Sequence, residues 1–135
     1  MGSRRKGREA ALQMLFQIDV SGVSASQAIE HYWAYLASNR EGEDFASGLV
    51  RGFDESRELI DERIRTVSQH WRLERMTIVD RNILRLATYE LMKLDVPRRV
   101  TLNEAVELAK RYGSEGSAGF VNGVLDRIAS DLGKE

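Results

Sequence analysis

The chain has 135 residues, 20 Lys+Arg against 21 Asp+Glu, 42% hydrophobic residues and no cysteine. This is one domain's worth of chain with enough apolar material for a core, and without cysteine it has no disulfide framework, thiolate nucleophile or Cys-ligated zinc. No apolar run approaches the about 18–20 residues that span a bilayer, so a cytoplasmic protein with no membrane partner is expected.

The first helix is predicted from Ser3 or Arg4 to about Val20. Ala11, Leu15 and Ile18 fall on one stripe at the 3.6-residue period. Glu9, Gln13, Gln17 and Asp19 interrupt the segment, so it is not the apolar region of a signal peptide. Its opening carries Arg4, Arg5, Lys6 and Arg8 with no acid in residues 1–8, while the remainder holds 16 Lys+Arg against 21 Asp+Glu. A cationic tip on a slightly acidic body attracts polyanions locally, and a nucleic-acid backbone is the leading candidate. Cations at a helix N-terminus oppose the macrodipole, so the tip is expected to fray until an anion relieves the repulsion. The bland alternative is a solubilising tail. Against it, arginine offers bidentate phosphate contacts.

Ser21-Gly22 breaks this helix. Ser24-Ala25-Ser26-Gln27 reads as a capping box, followed by Ile29, Tyr32, Trp33 and Leu36 at helical spacing. Asn39 to Gly42 is a loop. From Glu43 to about Trp71, Phe45, Leu49, Phe53, Ile60, Ile64, Val67 and Trp71 line one face. The pattern allows one long helix or two with a break near 54–56. Gly48 and Gly52 within it suggest close approach of another helix.

Thr77 is a candidate N-cap for the next helix, whose apolar arc from Val79 to Leu91 is wide enough to make it the most buried. Asp95-Val96-Pro97 ends the segment. Thr101-Leu102-Asn103-Glu104 reads as a second capping box, with a stop at Gly113. Ser117 is expected to cap a last helix carrying Val121, Val124, Leu125, Ile128 and Leu132. The sum is an all-α chain of six or seven helices in a single domain, 1–135.

Catalytic chemistry is poorly supplied. His31 and His70 stand 39 residues apart, no metal-ligand spacing is present, and neither a cofactor nor a metal is expected. The glycine-rich run from Gly113 to Gly119 follows a helix rather than a strand, so it is neither a P-loop nor a dinucleotide fingerprint. It reads as a helix-to-helix turn or, more sharply, as a phosphate-receiving helix N-terminus with Lys110 and Arg111 one turn away. Phe120, in the following turn, is placed to stack an unpaired base.

Four blocks resemble one family: Arg4 to Phe16, Val79 to Leu91 with Asp95-Val96-Pro97, Asn103 to Gly113, and Phe120 to Asp126. Together they resemble the NusB transcription antitermination factors over nearly the whole chain. The resemblance implies an all-α fold of six to seven helices in two small packed helical bundles. It implies a partner, NusE (a small-subunit ribosomal protein), and joint binding of boxA-type single-stranded RNA. It further implies recruitment to elongating RNA polymerase with other Nus factors, notably on ribosomal RNA operons. Carried over by position, Arg4, Arg5, Lys6, Arg8 and Gln13 should contact RNA, as should Lys110, Gly116, Ser117 and Phe120. Gly116 stands where family members can carry Asp. Phe16 and Asp80 are expected to face NusE.

Two other readings share these features. A NusB-like domain can target a ribosomal RNA methyltransferase, although a chain of this length without a catalytic cysteine fits that poorly. A helical adaptor could also leave all RNA contact to its partner. The apolar face of the first helix could in addition pair with a second copy as a homodimer.

Overall fold

A computed structural model describes residues 2–135. It holds seven α-helices: α1 (Gly2–Ser21), α2 (Ala25–His31), α3 (Glu43–Glu55), α4 (Arg57–Val67), α5 (Ile78–Lys93), α6 (Arg98–Tyr112) and α7 (Ser117–Asp131). A π-helical turn, Tyr32–Leu36, continues α2, and a 3₁₀ turn, Leu73–Arg75, precedes α5. Among the described residues there is no strand. The helices form two compact units, one reaching to Glu55 and the other Ser56–Glu135.

In the first unit α1 packs on α2 and α3. The predicted stripe of Ala11, Leu15 and Ile18 is buried. The Ser24 capping box is complete: Ser24 Oγ accepts from the Gln27 N–H at 3.1 Å, and Gln27 Oε1 accepts from the Ser24 N–H at 3.0 Å. Trp33 is buried and its Nε1 donates to Ser47 Oγ at 3.3 Å. In the π-helical turn, Tyr35 and Leu36 face solvent.

The start of α1 lies against the turn that opens α3. Gly42 has φ +75°, and a Cβ there would sit 2.4 Å from the Ser3 carbonyl oxygen and 2.8 Å from the Gly7 nitrogen. A Cβ on Gly7 would meet Phe45 Cδ2 at 2.9 Å. Close approach thus occurs at Gly7 and Gly42. At Gly48, expected to serve this purpose, a Cβ would meet nothing within 4 Å.

In the second unit α5 packs against α4, α6 and α7. It is buried through most of its circumference, including the polar residues Asp80, Asn82, Arg85, Thr88 and Glu90. Arg85 grips Asp61 of α4 with two hydrogen bonds, Nε to Oδ1 at 2.9 Å and Nη2 to Oδ2 at 3.0 Å. Its Nη1 donates to Asn82 Oδ1 at 3.0 Å. This is the planar fork geometry that suits arginine and carboxylate. Thr77 caps α5 as expected, its Oγ1 accepting from the Asp80 N–H at 3.1 Å.

The 43–71 segment takes the two-helix alternative, with its break at Ser56. Three expectations are corrected. Rather than running to about Trp71, α4 stops at Val67, where Ser68 Oγ folds back onto the Ile64 carbonyl at 2.6 Å. Trp71 therefore falls outside the helix and is 63% exposed. The helix expected from Thr101 begins a turn earlier, at Arg98, because Pro97 supplies a preset φ and its carbonyl accepts the first helical bonds. Thr101 is consequently buried inside α6 and donates to Glu90 Oε1 at 3.4 Å. At α7 the N-cap is Gly116, in the left-handed region at φ +90°, and Ser117 is the first helical residue.

Replacing Gly42 by Ala should lower stability by about 1–3 kcal/mol through backbone strain and collision. Gly48→Ala, in an exposed helix interior, should raise it by about 0.4–1 kcal/mol. Urea midpoints at unchanged m-value measure both. Asp61→Ala, which strands the buried Arg85 guanidinium, should cost about 3–5 kcal/mol by the same assay.

Candidate nucleic-acid interface

The sequence-predicted residues fall into two groups, one in each unit. In the first unit they lie along α1. Its first turn holds no acid, so the helix dipole and the cationic side chains add to one positive end. Arg4, Arg5 and Lys6 are exposed, as are Gln13 and Phe16 further along. Arg8 is only 5% exposed. The Phe45 ring receives two guanidiniums, Arg4 at 4.9 Å and Arg8 at 5.2 Å from its centroid. Cation–π contact of this kind immobilises part of an arginine without neutralising it.

Lys6, Gln13 and Phe16 share one face by helical spacing. Lys6 and Gln13 line a polar recess of about 110 Å³ with Tyr32, Asn39 and Glu41. Lys6 Nζ lies 4.0 Å from Glu9 Oε1, a long contact in which the lysine side chain stays exposed and the glutamate does not.

In the second unit the predicted residues surround the α6–α7 turn. Ser117 Oγ accepts from the Ser114 N–H at 3.0 Å. A Cβ on Gly113 would lie 2.6 Å from that same hydroxyl, so a glycine is required there by crowding. The Ser117 hydroxyl is thereby spent on shaping the loop, and the residue is 2% exposed. Gly116 is exposed and Phe120 half-buried. Lys110 is exposed and lies 3.7 Å from Glu107.

Gly116, Ser117 and Phe120 converge on one cavity of about 680 Å³, and Asp80 lines it too. Lys110 is not part of its wall. Asp80 is 8% exposed, and its Oδ1 is sealed from solvent.

Four further lining residues, His70, Trp71, Arg72 and Arg75, were not anticipated. The Trp71 and Phe120 rings meet edge-on, centroids 6.0 Å apart at 75°. The interleaving of an aromatic with cations in Trp71-Arg72 and Arg75 was the available signal; the helical reading of 43–71 concealed it by assigning Trp71 to an apolar face. The 3₁₀ turn below the cavity is tied to α4 by Arg65 Nη2 and Glu74 Oε2 at 2.8 Å. The Glu74 carboxyl is held below the usual carboxylate range, first by its own backbone amide and then by Arg65. The tie is therefore present above that range and is lost only as pH falls through the depressed value.

The model of the NusB family matches residues 5–130. The chain is 55% identical to the transcription antitermination protein NusB of Sorangium cellulosum, covering 99% of this chain and 96% of that protein. It is 48% identical to the NusB of Myxococcus xanthus, covering 99% of both. Among solved structures, T. maritima NusB superimposes with a TM-score of 0.86 at 41% identity, covering 95% of this chain and 91% of that one. A chain of the crystal structure of antitermination factors NusB and NusE in complex with dsRNA superimposes with a TM-score of 0.85 at 29% identity, covering 97% and 98%.

The two tryptophans differ sharply in exposure, Trp33 at 9% and Trp71 at 63%. Acrylamide should quench Trp71 and spare Trp33. Trp71→Phe should leave a blue-shifted emission that resists quenching.

Proposed function

The chain belongs to the NusB family, and on that premise we propose that it is a transcription antitermination factor that binds boxA-type single-stranded RNA jointly with NusE. In this reading the pair joins elongating RNA polymerase with other Nus factors, in the cytoplasm, and the chain binds without catalysing a reaction. No helix among the described residues is long and apolar enough to cross a membrane. We treat residues 1–135 as one functional module to which both units contribute.

The observation that carries the RNA reading is the exposed Arg4, Arg5 and Lys6 at the positive end of α1. Because Arg4 is already seated against Phe45, little further ordering is needed when phosphates arrive. Gln13 extends this contact along the helix by hydrogen bonding. Arg8, being buried, acts chiefly by seating the helix. In the second unit Phe120 supplies a stacking ring and Gly116 close backbone approach, with Ser117 shaping the loop and Lys110 adding charge nearby. Phe16, 42% exposed, is the proposed contact with NusE. Its contribution is apolar, since phenylalanine has no hydroxyl. Asp80, in the first turn of α5, is the second proposed contact.

Affinity for boxA-type RNA, measured by fluorescence anisotropy with NusE present, should fall steeply with salt. Arg4→Ala and Arg5→Ala should each reduce the log–log salt slope by about 0.7, the value for one contact on a single strand. Arg8→Ala should leave the slope unchanged. Unchanged slopes for both exposed arginines would remove α1 from the interface. Phe16→Ala should weaken NusE binding by about tenfold, the scale of an aromatic anchor, with binding of RNA alone unaltered.

A further inference from the structure

Phe45 stands apart from the apolar stripe to which its spacing assigns it. Leu49 and Phe53 on the same stripe are 2% and 1% exposed, whereas Phe45 is only half-buried. Its ring lies against Arg4 and Arg8, whose guanidinium carbons stand 4.9 and 5.2 Å from the centroid. We propose that Phe45 is a positioning residue for RNA binding, its ring holding the Arg4 guanidinium ready for phosphate while leaving the charge in force. The inference rests on the RNA-binding reading above and extends it to a residue of α3 that need not touch RNA.

The ring is fixed from two sides. On the α3 side, Ala46 and Leu49 are buried, and the Gly42 carbonyl accepts from the Ala46 N–H at 2.9 Å. On the other side the ring rests on the backbone of α1, since a Cβ on Gly7 would lie 2.9 Å from Phe45 Cδ2. Arg4 and Arg8 stand one helical turn apart, so both reach the same ring. Arg8 is buried and Arg4 exposed, which leaves Arg4 as the cation that the ring presents to a ligand.

A ring suits this task better than a carboxylate. An acid at position 45 would hold a guanidinium as firmly but would cancel its charge. The face of an aromatic ring carries a quadrupole that attracts a cation without neutralising it. A guanidinium donates its hydrogen bonds in its own plane, so contact with a ring face does not consume the donors. Acids do stand nearby in sequence, Glu43 and Asp44 in the first turn of α3. Glu43 pairs with Arg40. Their repulsion of phosphate is the opposing electrostatic contribution.

The competing reading is that Phe45 only fills the joint between α1 and α3. In that case the shape of the ring matters and its electron density does not, and the two readings part on this point.

The test replaces Phe45 in the full chain by 4-fluoro-, 3,5-difluoro- and pentafluorophenylalanine, which keep the shape and drain electron density from the face stepwise. Binding to labelled boxA-type RNA is followed by fluorescence anisotropy with NusE present, across a salt series. Affinity should fall in the order of fluorination, reaching about fivefold for the pentafluoro ring, the scale of an exposed cation–π contact. The log–log salt slope should stay at the wild-type value, because every phosphate contact is still made. Phe45→Leu should weaken binding similarly, and Phe45→Tyr, which keeps the electron-rich face, should match the wild type. If Phe45→Leu does not fold, the fluorinated series carries the test alone. In an Arg4→Ala background, fluorination should change affinity by less than about twofold.

Equal affinity across the fluorinated series, with RNA still bound and Arg4→Ala still lowering the slope, would overturn the positioning role and leave the RNA-binding reading standing. A fluorine effect as large without Arg4 as with it would make Phe45 a packing residue and overturn the inference. So would a slope lowered by fluorination, because the contact itself would then be lost. Failure of the wild-type chain to bind boxA-type RNA with NusE would overturn both readings.

Discussion

Two glycines without side chains, Gly7 and Gly42, hold the cationic end of α1 where electrostatics alone would loosen it. Four positive residues at a helix N-terminus repel one another and the dipole, and no acid in that turn compensates. The backbone contact between Ser3, Gly7 and Gly42 supplies the opposing constraint. Phe45 then receives Arg4 and Arg8 on its ring. Arg4 and Arg8 are thus seated against a ring, where dipole repulsion alone favours a fraying tail. That difference bears on binding, because order present beforehand need not be paid for when the ligand arrives.

The second unit depends on a different device. Arg85, Asp61 and Asn82 fix the register of α4 against α5 from inside. Burying such a pair brings little net stability compared with a well-packed apolar contact, but removing one partner is severe. The fixed register matters because the chain between α4 and α5 carries His70 to Arg75, and α5 itself carries Asp80. The α6–α7 turn closes the same cavity from the opposite side of the sequence. It is shaped by the Ser117 hydroxyl filling the space that glycine at 113 leaves open. Arg98 also joins the start of α6 to the end of α7 through Asp126 and Ser130.

Much of this was legible in the residues. The Ser24 capping box, the Thr77 cap, the buried stripe of α1 and the burial of α5 follow from local pattern, because one turn of helix decides them. The family blocks identified the fold and function together. The failures share a physical cause: a local pattern was overruled by a neighbour it could not see. Thr101 to Glu104 has the form of a capping box, but Pro97 starts the helix earlier. Gly48 reads as a packing glycine by its helical spacing, yet a Cβ there meets no neighbour, whereas Gly7 and Gly42, far apart in sequence, are crowded. Trp71 sits at the right period for an apolar face, but Ser68 ends the helix first. Arg8 reads as one more cation of the tip, and only the position of Phe45 shows that it is buried. The cavity was the least visible feature, since its wall draws on three separated segments.

Gly116 has a consequence for how this family can diverge. Its backbone is left-handed, yet a Cβ there would meet no neighbouring atom within 4 Å. Any replacement is thus penalised by conformation and not by crowding. Aspartate and asparagine are among the side chains that tolerate this conformation best. The lip of the cavity is therefore a place where lineages can exchange a neutral residue for a carboxylate at small cost to the scaffold, resetting attraction for a polyanion by a single codon.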